Sequence, residues 1–482
     1  MSPTLGALAR DVGLSVPSAD VEISGVTDDS RLVTPGALFV AHRGALADGH
    51  DFVADALRRG AAAVVSERPT DVAVPTWVVA DGRTALAQFA AAFYDHPTRS
   101  LYTVGVTGTN GKTSVCHFIA HLLGPAETAV ISTVANFDRG LRALTTPASP
   151  VVQRFAREAV DAGKRSLVLE ASSAGLEQER LGAIAWDAAC FTNLTRDHLD
   201  LHGTMEAYGA AKARLFRALK PSGWGVVNAD DPFSETLGRV ATGRLMTYAL
   251  SHPADLTAEI LREDQDGLRV TLRTPHGKAE VAVSVHGRHG AYNALAALGV
   301  ALAAGRPFAE VVDRLASLPR VSGRWETLVR DDGMAAVVDY AHTPDGLERV
   351  LTALRPLYRN VTLVFGCAGG SDRGKRPQMG AIAGRFADLV VVTTDNPKNE
   401  DPQEICRAIV GGLEPTGTEF SVVLDRREAL ALAVERTPPR GVILVAGKGH
   451  ETYQIVRGAF EPHSDRDALA ALGFAPAERG LR

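Results

Sequence analysis

Residues 101–123 read LYTVGVTGTNGKTSVCHFIAHLL, and this stretch decides the fold. An apolar run from Leu101 to Val106 enters a glycine-bounded turn, Gly108-Thr109-Asn110-Gly111. Lys112-Thr113-Ser114 and a helix-like segment follow. Strand, turn and helix in that order make a phosphate loop. Its glycines let the chain turn and aim amides at phosphate oxygens, and the following helix adds the positive end of its dipole. Lys112 is placed to pair with terminal phosphates, and Thr113 to offer its hydroxyl to magnesium. The glycine spacing is a variant, because Val106 stands where the common pattern has glycine.

The pattern continues outward on both sides. SLVLEASS, AACFTN and GWGVVNADD are further apolar β runs with helical stretches between them, which predicts a parallel sheet covered on both faces. Residues 257–286 alternate like antiparallel strands, and AYNALAALGVALAAG is a helix. From SGRWE (322–326) onward, MAAVVDYA, VTLVFGCA, DLVVVTTD and GVILVAGKG predict a second open α/β sheet with loops at its carboxyl edge, where such sheets bind ligands. The first hundred residues mix short β runs (ALFVA, AAAVVS, TWVVA) with alanine-rich helices, and YDHPTRS (94–100) reads as a linker. The expected organisation is three α/β domains, 1–98, 99–321 and 322–482. The middle one is a phosphate-loop ATPase unit and the last is Rossmann-like.

A chain of 482 residues exceeds one ordinary core and suits about three domains. Hydrophobic residues at 45% and charged residues at 22% are globular usage. A net charge of -5 without a dense Lys/Arg run argues against a nucleic-acid partner. Cys116, Cys190, Cys367 and Cys406 form no CxxC pair and read as small core residues. The start, MSPTLGALARDVGL, lacks a basic segment followed by a long apolar one, and no run approaches the roughly 20 apolar residues that cross a bilayer. A cytoplasmic protein, independent of membranes and acting as a monomer, is the expectation.

GVTGTNGKTS resembles the ATP loop of the Mur ligases and their folylpolyglutamate synthetase relatives. DSRLVTPGALFVA, TTP, LEASSAGL, FTNLTRDHLDLHGTMEAYGAAKARLF, HGAYNALAA, SGRWE, DYAHTPDGL, FGCAGGSDRGKRPQMG, TTDNPKNEDP and AGKGHETYQ match the same family in the same order. The resemblance covers nearly the whole chain and favours the members that add the third peptide residue during cell-wall precursor synthesis. It implies ATP and Mg2+, a UDP-N-acetylmuramoyl dipeptide and a diamino acid, with an acyl phosphate as intermediate. The first domain is then the uridine-nucleotide-binding one.

The resemblance also implies roles. Gly108 to Ser114, Asn293 (adenine side), Arg324 (phosphates) and Asp339 (ribose) would hold ATP. Thr113, Glu170, His198 and a carbamylated Lys212 would serve the metal ions. Lys112, Lys212, His198 and Glu170 would carry the catalysis. Ser30, His42, Thr145, Thr146, Ser172, Gln178 and Arg180 would hold the nucleotide-linked peptide. Arg373, Asp395, Asn396, Pro397, Lys398, Gly447 and Glu451 would hold the amino acid. A zinc site on His198 and His202 is the competing reading of DHLDLH, but no Glu directly follows the first histidine.

The amino acid is where the chain departs from the family pattern. Diaminopimelate-adding members usually carry DNPR; here Asp395-Asn396-Pro397 ends in Lys398, a point charge without a bidentate fork. A family arginine falls on Ser371, with Arg373 two residues later, and Ala174 stands where many members have histidine. Meso-diaminopimelate is favoured, with lysine and ornithine open. The alternatives are another Mur-type or polyglutamate-type ligase, a non-catalytic relative that binds a partner enzyme, and a phosphate-loop motor or transport ATPase.

Overall fold

A computed structural model describes residues 2–18, 20–44, 47–141 and 144–477; the expected outer limits at 1 and 482 lie outside them. Three main sheets follow one another along the chain. The first is wholly parallel: β1 (Val26–Thr27), β2 (Leu38–Ala41), β3 (Ala63–Ser66) and β4 (Thr76–Val78), in that order. The segment read as a linker forms a tight turn, Pro97–Ser100, after two left-handed residues, Asp95 and His96.

The second sheet has nine strands: β5 (Tyr102–Thr107), β6 (Thr128–Ile131), β7 (Ser166–Glu170), β8 (Trp186–Phe191), β9 (Leu219–Asn228), β10 (Arg244–Ala249), β11 (Leu256–Asp264), β12 (Gly267–Thr274) and β13 (Gly277–Val283). Their spatial order is β13-β12-β11-β10-β9-β8-β5-β7-β6, with β5 between β7 and β8 and parallel to both. The last two pairings, β11 with β12 and β12 with β13, are antiparallel, as the alternation in 257–286 predicts.

The third sheet comprises β14 (Glu326–Val329), β15 (Ala335–Asp339), β16 (Val361–Phe365), β17 (Leu389–Val392), β18 (Glu419–Val422), β19 (Val442–Ala446) and, past the hairpin β20 (Tyr453–Val456) and β21 (Ala459–Pro462), β22 (Ala475–Pro476). Its order is β18-β17-β16-β19-β15-β14-β22, parallel except for the pairs made by β14.

Each sheet lies between two apolar clusters, one per face, which is why its strands read as unbroken apolar runs. In β5, Val104 and Val106 join the cluster around the helix Lys112–Leu123. Gly105 points the other way, where a Cβ would lie 2.6 Å from Leu215 Cδ1. The glycine thus lets the helix Met205–Arg217 settle close to the strand. No helix among the described residues is long and apolar enough to cross a membrane.

The helices Lys375–Phe386 and Pro402–Leu413 approach equally closely at Gly380, where a Cβ would sit 2.0 Å from the Ile409 carbonyl oxygen. Gly380→Ala is expected to cost about 1–3 kcal/mol, read as a lower urea midpoint at unchanged slope.

Candidate active site

The phosphate loop hangs between β5 and the helix Lys112–Leu123. Gly108 has φ +146 and Gly111 φ +88; a Cβ would fall 1.9 Å from Thr192 Oγ1 at the first and 2.5 Å from Asn293 Oδ1 at the second. Both glycines are therefore required by conformation and by space. The strand-end segment after β8 pins the loop. Thr109 N donates to the Asn193 carbonyl (2.8 Å), Asn110 N to Asn193 Oδ1 (3.0 Å), and Thr192 Oγ1 to the Asn110 carbonyl (2.6 Å).

Lys112 Nζ folds back onto the loop, donating to the carbonyls of Gly108 (3.0 Å) and Thr109 (2.8 Å). Lys212 Nζ reaches the same Gly108 carbonyl from below at 2.8 Å and lies 4.1 Å from the Tyr208 ring centre. The sequence shows only a lysine on a helix, whose usual place is in solvent; here the side chain is 1% exposed. Burial, reinforced by the nearby Lys112 charge, pushes the Lys212 amine well below the usual lysine range. Two ammonium groups on one carbonyl repel; burial lowers the Lys112 amine as well, but nearby Glu170 and Asp197 oppose that, and Lys212 is the more strongly lowered of the two.

Glu170 ends β7, buried, and accepts from Thr133 N (2.8 Å) and Thr133 Oγ1 (3.3 Å). His198 is left-handed (φ +54), half-exposed, and 3.4 Å from Asp197. His202 points elsewhere, to Ser173 Oγ (2.9 Å) and Glu177 (3.3 Å), so the two rings of the competing zinc reading serve different neighbours. Burial works against the Asp197 charge, but His198, His342 (3.9 Å) and Lys375 (3.8 Å) outweigh it and hold the carboxyl at about 2.

The third sheet closes the site. Arg324 Nη2 donates to Thr113 Oγ1 at 2.9 Å, its guanidinium 4.3 Å from the Tyr340 ring centre. Asn110 Nδ2 donates to Asp345 (2.8 Å), and Arg196 pairs with Asp372 at 3.0 Å. Asp339, the last residue of β15, accepts from Trp325 N (2.7 Å) and Ala341 N (2.8 Å), and burial raises its pKa. These groups border one cavity of about 500 Å³, which Thr109 to Ser114, Thr145, Glu170, His198, Asn293, Arg324 and Asp339 all line. The Asn293 amide faces Gly111, at the phosphate end of the loop. Farther along, the His286 and Trp325 rings stack 4.7 Å apart.

The remaining expected residues form separate groups. Thr146 Oγ1 bonds the Glu170 carbonyl (2.6 Å) and Ser172 Oγ (2.8 Å); Arg180 donates to the Thr146 carbonyl (2.8 Å) and to Gln178 (2.5 Å). Burial lowers the Arg180 pKa while Asp28 of the first unit opposes that, so the row leads toward His42, whose Nε2 lies 3.1 Å from Asp28. Ser30 is buried beside Asp55.

At the carboxyl edge of the third sheet, Asn396 Nδ2 donates to Glu451 (2.8 Å), and a Cβ on Gly447 would lie 2.4 Å from Asp395 Oδ2. Pro397 presents its carbonyl to Gly369, and Lys398 is left-handed (φ +53), its N donating to the Ile455 carbonyl (2.8 Å). Arg373 is largely exposed and pairs with Glu400 at 3.2 Å, apart from the Asp395–Glu451 group.

Among the buried cations that sequence reading passed over, Lys375, Arg376 and Lys448 lie near these loops. Lys448 Nζ donates to Asn396 Oδ1 (3.0 Å) and Glu451 (2.9 Å), while Arg376 takes both Glu400 oxygens at 3.0 and 3.1 Å. All three lie inside segments singled out above, GKRP and AGKGHE, but side-chain burial has no local signature there.

Oxygen donors beside a phosphate loop suit Mg2+, which takes few protein ligands and completes its shell with phosphate and water. Thr113, Glu170 and His198 line the cavity together, and Lys212 approaches the loop from beneath. Among the described residues no three His, Cys, Asp or Glu converge, so protein groups alone would not fill a shell.

Two α/β units that close on one phosphate-loop cavity, with a third α/β unit ahead of them in the chain, have the build of an ATP-dependent amide ligase. Profiles of the Mur ligase family match residues 22–94 (catalytic domain), 106–301 (middle domain) and 323–449 (glutamate ligase domain). The UDP-N-acetylmuramoyl-L-alanyl-D-glutamate–2,6-diaminopimelate ligase of Geobacillus thermodenitrificans is 42% identical over 463 residues, 93% of this chain and 94% of its own. A UDP-N-acetylmuramyl-tripeptide synthetase of Roseiflexus is 42% identical, covering 95% and 97%. A solved structure of a UDP-N-acetylmuramoyl-L-alanyl-D-glutamate–2,6-diaminopimelate ligase matches with TM-score 0.68 at 33% identity over 98% of this chain and 99% of that one. The chain belongs to the Mur ligase family. It is an ATP-dependent ligase of the class that uses Mg2+.

Gly108→Ala should abolish turnover while the protein stays folded, because the strain falls on one loop; a phosphate-release assay with circular dichroism checks both. Burial, aided by the Arg349 and His286 charges, holds His289 at about 3, and burial holds His286 at about 4. As pH falls through about 6.5 the unfolded chain takes protons that the folded one refuses, so this part of the stability is complete above that value and lost below it. Between pH 7 and pH 5, wild type should lose about 1–2 kcal/mol more than His289→Gln in urea titrations.

Proposed function

We propose that the chain adds a diamino acid, meso-diaminopimelate first, to UDP-N-acetylmuramoyl-L-alanyl-D-glutamate during peptidoglycan precursor synthesis. The observation that carries this reading is the convergence of Lys112, Glu170 and His198 from the second sheet with Arg324 and Asp339 from the third on one cavity. The names of its relatives and the row of polar groups from Thr146 through Arg180 to Asp28 support the peptide and nucleotide-sugar assignment.

In this reading Lys112 and the loop amides hold the triphosphate, Asp339 the ribose, and Arg324 leaves Thr113 for the phosphates as ATP enters. Mg2+ beside Thr113, Glu170 and His198 would screen the phosphate charge. Thr145, Thr146, Ser172, Gln178 and Arg180 orient the peptide, with Ser30 and His42 toward the uridine end. Its terminal carboxylate takes the γ-phosphoryl group and ADP leaves; the incoming amine then displaces phosphate. The uncharged Lys212 amine is the form that adds CO2, becoming a carbamate with loss of a proton, an anion suited to a second Mg2+. In this reading the protein acts in the cytoplasm as a monomer.

The amino acid enters between Asp395-Asn396 and Gly447-Glu451, whose carboxylates receive its distal ammonium. Glu400 occupies the fork of Arg376 and also pairs with Arg373 through one nitrogen, whereas Lys398 forms no ion pair among the described residues. Lys398 is therefore the cation that meets a distal carboxylate, which favours diaminopimelate over lysine or ornithine.

Offered diaminopimelate, lysine and ornithine in competition, the enzyme should give a product mass dominated by the diaminopimelate adduct; a lysine or ornithine adduct would overturn that choice. Lys212→Ala should lower turnover about 100-fold or more, with added formate restoring a measurable part. Full activity in that variant would remove the carbamate from the account.

A further inference from the structure

A charged cluster sealed from solvent lies beneath the loops that carry Asp395 and Gly447. Arg426 begins the helix Arg426–Arg436, Asp465 begins the helix Asp465–Ala471, and both side chains are 0% exposed. Arg426 Nε donates to Asp465 Oδ1 at 2.7 Å and Nη2 to Oδ2 at 2.8 Å, fork on fork. His463 Nε2 lies 2.9 Å from Asp465 Oδ1 and fixes the carboxylate from the far side.

The rest of the guanidinium is spent on two main-chain carbonyls: Nη2 on Ala446 at 2.9 Å and Nη1 on Thr394 at 3.4 Å. Ala446 ends β19 and precedes Gly447; Thr394 follows β17 and precedes Asp395. These strands are not neighbours, because β16 runs between them. No ladder therefore joins the two loops directly. The side chains of Asn396, Lys448 and Glu451 bridge them, and Arg426 ties their main chains together beneath that bridge.

Stability alone does not explain such a group. A buried ion pair pays heavily in desolvation, and apolar residues of similar volume fill such a site about as well. A planar fork with donors on both edges does what an apolar residue cannot: it fixes two carbonyls and one carboxylate in a single plane. Burial opposes the Arg426 charge, but Asp465 and the more distant Asp395 and Glu451 sustain it, so the same cation also faces the acids of the amino-acid site.

We propose that Arg426, clamped by Asp465, is a positioning residue for the incoming amino acid: it holds the main chains that lead into Asp395-Asn396 and Gly447-Glu451 in place beneath the Asn396 bridges, and so governs how well those loops grip a diamino acid. The inference rests on the reading that these two loops hold the amino acid.

Steady-state kinetics on the full-length enzyme test it. Arg426→Lys keeps the charge and loses the fork; the KM for the amino acid should rise about tenfold or more, with the KM for ATP and for the nucleotide-linked dipeptide within about twofold of wild type. Leu469→Ala, buried on the same side of the sheet but away from both loops, should lower Tm without moving any KM. An Arg426→Lys enzyme with an unchanged amino-acid KM, beside an Asp395→Asn enzyme in which that KM rises, would overturn this inference alone. An unchanged amino-acid KM in Asp395→Asn as well would overturn the reading of the loops with it. Should Arg426→Lys fail to fold, His463→Asn decides: it keeps the ion pair and loosens one side of the clamp. A several-fold rise in amino-acid KM supports the proposal, and no change overturns it.

Discussion

A carboxylate does not approach a triphosphate unless positive charge is already waiting. Two like unit charges 4 Å apart repel by about 4 kcal/mol at an effective dielectric near 20, and a triphosphate carries several. The chain answers with cations held in place before any ligand arrives. Lys112 and Lys212 share the Gly108 carbonyl, and Arg324 crosses from the third sheet to Thr113. Two lysines on one carbonyl cannot both stay charged at low cost. Burial lowers the pKa of both amines, and Lys212 falls further because Glu170 and Asp197 support the Lys112 charge whereas Lys112 itself works against that of Lys212.

That requirement organises the larger structure. A single sheet offers one carboxyl edge, while the reaction needs a nucleotide, a peptide carboxylate and an amine to meet. With the phosphate loop after β5 and the loops proposed for the amino acid after β17 and β19, separate sheets would present separate substrates. The junction is stitched by charge: Asp197 with His342 and Lys375, Asn110 with Asp345, Arg196 with Asp372. Polar stitching of this kind breaks and reforms more readily than an apolar seam, which suits a site that must admit ligands and then exclude water.

Much of the fold was legible because its strands are buried on both faces and so appear as apolar runs. The phosphate loop was legible because its glycines are demanded by φ and by space, at Gly108 and Gly111 alike. The junction was not: Asp197 and Lys375 are far apart in the chain, and neither carries a local sign of its partner. Lys212 lies between. It was named by resemblance alone, although Tyr208, Lys212 and Phe216 fall four residues apart on one buried helix face, a spacing that could have marked the lysine as inward. Asn293, expected on the adenine side by resemblance, lines the cavity with its amide beside Gly111, whose missing side chain leaves room for it. The stacked His286 and Trp325 line the same cavity, rings that no phosphate-loop pattern points to.

The account stands or falls on whether phosphorus passes to the peptide carboxylate before the amine attacks. If the dipeptide substrate carries 18O in its terminal carboxylate, inorganic phosphate released during turnover should contain one 18O atom per molecule, read by mass spectrometry. Phosphate free of the label would mean that ATP is cleaved by water or by the amine, and the cations gathered at Gly108 would need another explanation.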